Sequence, residues 1–240
     1  MISHKRAADY AVFRFSIGTL ILFLILTLMA MYIYSGGTKF NPSEAGYDFA
    51  RNFFSDLGRY QTFAGQSNFI SMILFSVAAG SAAIGQFLFF LATPTLFTKA
   101  RGLARTGSFF GLCASLCYLG IALTPADILF VPHYTFVRLA FSLFLPASVF
   151  YGMAILRSDH YPGIYAAVFL IFTLILAAYL TLLFFGPGIK TPEGLLIQVV
   201  GQKIIVYSQV ICMAVQVYGA KTVRWSLNPL FSKEQYGFQS

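Results

Sequence analysis

Long apolar stretches alternate with short polar ones along the whole chain. Six can be marked, at roughly 11–34, 67–92, 103–123, 133–156, 163–185 and 195–218. Each holds at least 21 residues, and about 20 residues of α-helix cross the ~30 Å hydrocarbon core of a bilayer. Helices are expected because lipid offers the backbone no hydrogen-bond partners. The pattern therefore predicts an all-α fold: a single membrane domain of six transmembrane helices. The first stretch follows a short basic start, His4, Lys5 and Arg6, as a signal peptide would. It is too long and lacks a small-residue cleavage site, so it reads as an uncleaved span.

The polar positions between the first two spans, residues 35–66, are too many for a plain connector. Asn41-Pro42-Ser43-Glu44 has the form of a helix start, with Asn as N-cap and Pro at the first position. Gly58 is a suitable stop. The expectation is an amphipathic outer-face helix over 41–58, with Glu44, Asp48, Arg51 and Ser55 on one face and Tyr47, Ala50, Phe53, Phe54 and Leu57 opposite. Asp56 falls off the polar stripe toward Phe49 and Phe53, where a carboxylate needs a partner. It is read either as a pin for the loop or as part of a site.

Charges inside the spans matter more, because intramembrane ionisable groups are costly. Arg138 lies near the start of the fourth stretch and Lys203 further into the sixth. Side chains lean toward a helix N-terminus, so both aim at the outer surface. Tyr134, Arg138 and Ser142 follow one another four apart, just after His133. Asp56, Asp127, His133, Arg138 and Lys203 are therefore expected near the outer leaflet. They are either ion pairs holding spans together or a site for an anionic or zwitterionic head group. In the second reading Arg138 and Lys203 hold the phosphate, with Tyr134 beside them. Asp56, Asp127 and His133 then orient it or perform acid–base work, and are the candidate catalytic residues. Gln202, Gln209 and Gln216 recur every seven residues on the sixth span, one turn below Gln198. Such a stripe faces protein or water, as interhelical hydrogen bonding or as the lining of a polar passage.

Small residues Gly107, Gly111 and Ser115 recur every fourth position on the third span and predict close packing. Pro146 predicts a kink in the fourth.

Composition agrees with the pattern: 58% of the 240 residues are hydrophobic and only 10% charged, against about 25% charged in soluble domains. The net charge of +8 does not indicate nucleic acid, because most of the basic residues flank apolar runs. Placing the N-terminus inside puts ten of them in the cytoplasm: Lys5, Arg6, Arg14, Lys99, Arg101, Arg105, Arg157, Lys221, Arg224 and Lys233. Four are left outside, Lys39, Arg51, Arg59 and Lys190. That asymmetry predicts cytoplasmic termini, a cytoplasmic tail over 219–240, and a cell-membrane location. Cys113, Cys117 and Cys212 all lie inside apolar runs and read as packing residues. No GxSxG, HExxH or phosphate-cradling glycine loop is present, so no reaction is assigned. No cofactor is expected, and two Asp and one His spread over two loops do not suggest a metal site.

Three segments carry a resemblance. "NFFSDLG" in the first loop, then "TPAD" and "HYTFVRLAF" around the start of the fourth span, resemble the six-span family called Domain of Unknown Function nine-nine-eight. That pattern is similar in turn to the wider group of FRAG, DRAM and Sfk membrane proteins, with an "ISD.G" element in the same loop. The resemblance covers about residues 10–220 and falls on Ser55, Asp56, Gly58, Asp127, His133 and Phe141. It implies a link to lipid remodelling and membrane signalling, and it supplies no catalytic role to carry over. The leading expectation is thus a protein that binds or remodels lipid head groups at the outer leaflet, with membrane lipids as partners. The alternatives are a transporter of a small polar solute along the glutamine stripe, and a non-catalytic accessory subunit, as a homo-oligomer or within a larger membrane complex.

Overall fold

A computed structural model describes the backbone of residues 2–226 and the side chains from Ala11 onward. Lys5, Arg6, Lys233 and the tail beyond Ser226 lie outside the side chains described. The six apolar stretches are six helices: α1 Ile2–Ile33, α2 Phe69–Ala92, α3 Arg101–Leu123, α4 Phe130–Leu156, α5 Gly163–Phe185 and α6 Pro192–Ser226. All are long and apolar enough to cross a membrane. Among the described residues there is no strand, only an isolated bridge between Gln61 and Ser67. The fold is a six-helix membrane bundle.

The helices form a closed ring. Each packs on its neighbour in the chain, and α6 returns to α1. With six crossings the start of α1 and the end of α6 lie at one end of the bundle, called here the terminal end. The long first loop, residues 34–68, covers the other, called the loop end. At 35 residues, α6 is about 52 Å long and outruns the bilayer. Residues 219–226, expected in the tail, continue this helix. Pro146 sits inside α4, which remains helical on both sides of it.

Between helices in lipid, shape complementarity replaces the hydrophobic drive. The small-residue stripe of α3 supplies it by seating aromatic rings. A Cβ on Gly111 would lie 2.5 Å from the Phe90 ring of α2, and one on Gly107 2.8 Å from the Tyr151 ring of α4. Ser115 donates to the Gly111 carbonyl and accepts from Gln86 at 3.0 Å.

The expected outer-face helix over 41–58 does not form. One 3-10 turn, Phe54–Gly58, is its only helical part. Gly46 stands at φ +69°, outside the right-handed helical region. The polar side chains also bond locally and compete with a helical ladder. Asn41 Nδ2 donates to Glu44 at 2.8 Å, and the Asp48 carboxylate accepts from the backbone N–H groups of Ala50 and Arg51 at 2.8 and 3.0 Å. Gly58 is a seat rather than a stop, since a Cβ there would lie 2.5 Å from the Phe75 ring.

Candidate functional site

The first loop is a plug fastened by hydrogen bonds to three elements: the head of α2, the α3–α4 connection and α6. Asn52 is buried, and its side chain accepts from Asp48 N at 2.9 Å and donates to the Gly37 carbonyl at 3.0 Å. Phe54 N donates to Gln202 Oε1 of α6 at 2.8 Å. Asn68, at the head of α2, donates to the carbonyls of Leu57 and Arg59, each at 3.0 Å. Asp127, in the α3–α4 connection, accepts from the N–H groups of Tyr60 and Gln61, both at 2.9 Å. Its carboxylate is therefore engaged in holding the loop.

Lys203 performs a similar task from α6. Its Nζ donates to the Asn52 carbonyl at 2.5 Å. The rings of Tyr47, Phe49 and Phe54 surround it with centroids at 5.1, 5.0 and 4.9 Å, a cation–π cage that replaces lost hydration. Arg138 points elsewhere. It is exposed and stacks on the rings of Phe184 at 4.4 Å and Tyr134 at 5.3 Å.

Beneath the plug, at the loop end, lies a cavity of about 570 Å³. Four of the expected residues line it together: Asp56, His133, Tyr134 and Gln202. Asp127, Arg138, Lys203 and Gln209 do not line it. The cations on its wall are instead Lys39, Arg51 and Arg59. Arg51 pairs with Asp48 at 2.8 Å, while Arg59 Nε donates to the Gln61 carbonyl at 3.0 Å and its guanidinium lies 4.1 Å from the Phe63 centroid. Tyr179 and Gln198 also reach the cavity. The sequence marked none of these as binding residues. Arg59 carried one signal, a cation three residues after Asp56 and directly after the "NFFSDLG" segment.

Two side chains on the wall carry chemistry. His133 is 5% exposed, and its Nδ1 lies 2.6 Å from the Thr124 carbonyl. A carbonyl only accepts, so Nδ1 bears the hydrogen. Its Nε2 is buried without a protein partner, on the wall of a cavity large enough for a ligand. Asp56 is also 5% exposed, and its carboxylate accepts from Phe53 N at 2.7 Å. Burial raises its pKa to about 6, against the opposing pull of Arg59. Among the described residues, no three His, Cys, Asp or Glu side chains gather as metal ligands would.

A second cavity, of about 110 Å³, adjoins the first toward the middle of the bundle. Ser55, Val137 and Gln202 line both. Its wall is mostly apolar, including Phe23, Phe75, Phe141 and Met213. The glutamine stripe is largely bonded here. Gln209 accepts from Tyr118 at 2.7 Å and donates to Gln86 at 3.0 Å, and Gln216 donates to the Tyr165 carbonyl at 2.7 Å. These bonds tie α6 to α2, α3 and α5.

Fold and cavity together define an integral membrane protein of six spans, with a vestibule at one end whose wall carries three basic side chains. No family model matches the chain, and comparisons with curated proteins and with solved structures find no match.

Proposed function

We propose that the protein binds the anionic head group of a membrane lipid in the loop-end vestibule. The observation that carries this reading is the joining of two unlike cavities. One has a mixed wall that sets Lys39, Arg51, Arg59 and an unpartnered His133 Nε2 among apolar side chains; the other is almost wholly apolar and continues it into the bundle. An amphiphile has that division of surface. The guanidiniums and Lys39 attract the phosphate, His133 and Tyr134 supply hydrogen-bonding groups, and the neck at Ser55, Val137 and Gln202 admits the start of an acyl chain.

The excess of basic residues at the terminal end supports cytoplasmic termini, so the vestibule opens to the outer leaflet of the cell membrane. The family resemblance of "NFFSDLG" belongs to the same proposal and points to lipid chemistry as well. Arg138 lies behind Tyr134 and Phe184 and has a supporting place in it.

The test is lipid retention, measured by mass spectrometry after mild detergent extraction. The Arg59→Gln and His133→Ala double variant is expected to lose phospholipid by about tenfold relative to wild type, equivalent to ~1.4 kcal/mol. Arg138→Gln is expected to retain it. Unchanged lipid content in the double variant overturns the reading.

A further inference from the structure

A third cavity lies at the opposite end of the bundle, and nothing in the vestibule reading depends on it. The chain leaves α2 through a single 3-10 turn, Thr93–Leu96, and enters α3 at Arg101. Between the two helices this reversal leaves a groove of about 370 Å³. Its floor and sides are Phe90, Leu91, Pro94, Phe109 and Leu112, and Arg101 and Arg105 stand on its wall.

The two arginines are four residues apart, so they share one face of α3. Like charges at that spacing repel mildly. Both are exposed, and no described carboxylate pairs with either. Among the described side chains, the acid at this end of the bundle is Asp159, bound to Lys99 at 2.6 Å. The apolar side of the groove is equally open: Leu91 is 58% and Phe109 62% exposed. In a spanning bundle those side chains face hydrocarbon. The groove therefore offers two guanidinium forks that no described carboxylate neutralises, directly beside a lipid-exposed apolar surface.

We propose that this groove binds an anionic phospholipid of the terminal-end leaflet. Its phosphate bridges Arg101 and Arg105, and an acyl chain lies along Leu91, Phe109 and Leu112. Charge complementarity selects the ligand. Planar guanidinium forks match phosphate oxygens bidentately, and basic pockets between transmembrane helices recognise anionic head groups. A zwitterionic lipid brings a cationic group that competes with the arginines. A free phosphate lacks the apolar part that the exposed Phe109 and Leu91 would cover.

The experiment uses the full chain in detergent, with phosphatidylglycerol, phosphatidylcholine or inorganic phosphate added, and native mass spectrometry to count bound lipid. Wild type is expected to retain phosphatidylglycerol over phosphatidylcholine, and the Arg101→Gln, Arg105→Gln double variant to lose that preference by about tenfold. Equal preference in the variant overturns the proposal. So does a thermal stabilisation by inorganic phosphate equal to that by phosphatidylglycerol. Should the variant fail to fold, Phe109→Trp provides a second route with both arginines intact. Brominated phosphatidylglycerol is expected to quench the new indole more than brominated phosphatidylcholine, after subtraction of the Trp225 signal. Equal quenching by both lipids, or none because a second copy of the chain covers the groove, overturns the proposal.

Discussion

The ammonium of Lys203, in the sixth helix, donates to the carbonyl oxygen of Asn52, 151 residues earlier, at 2.5 Å. This bond makes an intramembrane cation into a fastener for the loop-end plug. It also explains how a charge is accommodated at that depth: the Asn52 carbonyl accepts one hydrogen bond from the ammonium, and three aromatic faces surround the rest.

Lys203→Met removes the donor and the charge while keeping most of the stem's volume. A hydrogen bond to a charged group contributes about 1.5–3 kcal/mol. The Asn52 carbonyl keeps a second donor, Tyr47 OH at 3.0 Å, so the expected loss lies toward the lower figure. The variant should unfold at lower temperature, and protease should cut within residues 35–66 faster than in wild type. If Lys203 were instead a ligand cation, the variant would lose lipid with no change in loop protection.

Asp56 gives a pH signature. Burial raises its pKa to about 6 in the folded protein, against about 3.9 in an unfolded chain. The folded state therefore binds the proton more tightly. Its contribution to stability is full below about pH 4 and is lost as pH rises through about 6, with little change beyond. Asp56→Asn keeps an oxygen for the Phe53 N–H and cannot ionise. Thermal midpoints measured from pH 4 to 8 should fall with rising pH in wild type and stay flatter in Asp56→Asn. Parallel curves would show that Asp56 does not titrate in this window.

The spans were legible because length and apolarity alone decide what crosses a bilayer, and Gly163–Phe185 coincides with its apolar run. The first loop was not legible. Asn41, Pro42 and Glu44 have the form of a helix start, but Asn41 bonds Glu44 directly, Asp48 closes its own turn, and Gly46 turns the chain left-handed. Local side-chain bonds of this kind leave the same sequence signal as a cap. Asp56 was expected on the inward side of a helix that does not exist, yet it is buried, because the Phe54–Gly58 turn packs on α2 and α6 instead. The depth of Arg138 and Lys203 could be read, but not their partners. Only the folded loop brings the Asn52 carbonyl over α6, and only the α5 packing brings Phe184 beneath Arg138.

The Gln209 network separates a scaffold from a passage. Gln209 holds two partners from two other helices, Tyr118 of α3 and Gln86 of α2. Interhelical hydrogen bonds in membranes contribute about 0.6 kcal/mol each on average, so Gln209→Leu should cost about 1 kcal/mol, and Gln86→Leu about the same, because it loses both Gln209 and Ser115. The bond between the two glutamines disappears in either variant. The double variant should therefore cost less than the sum of the singles, by roughly the energy of that one bond, about 0.6 kcal/mol. Thermal unfolding in detergent across the four proteins measures the cycle. A stripe that lined a passage would give additive, near-zero costs, since water would replace each lost partner, and liposomes carrying Gln209→Leu would lose solute flux. The bonded geometry leads to the opposite result: coupled stabilities, and solute permeability of the liposomes independent of either glutamine.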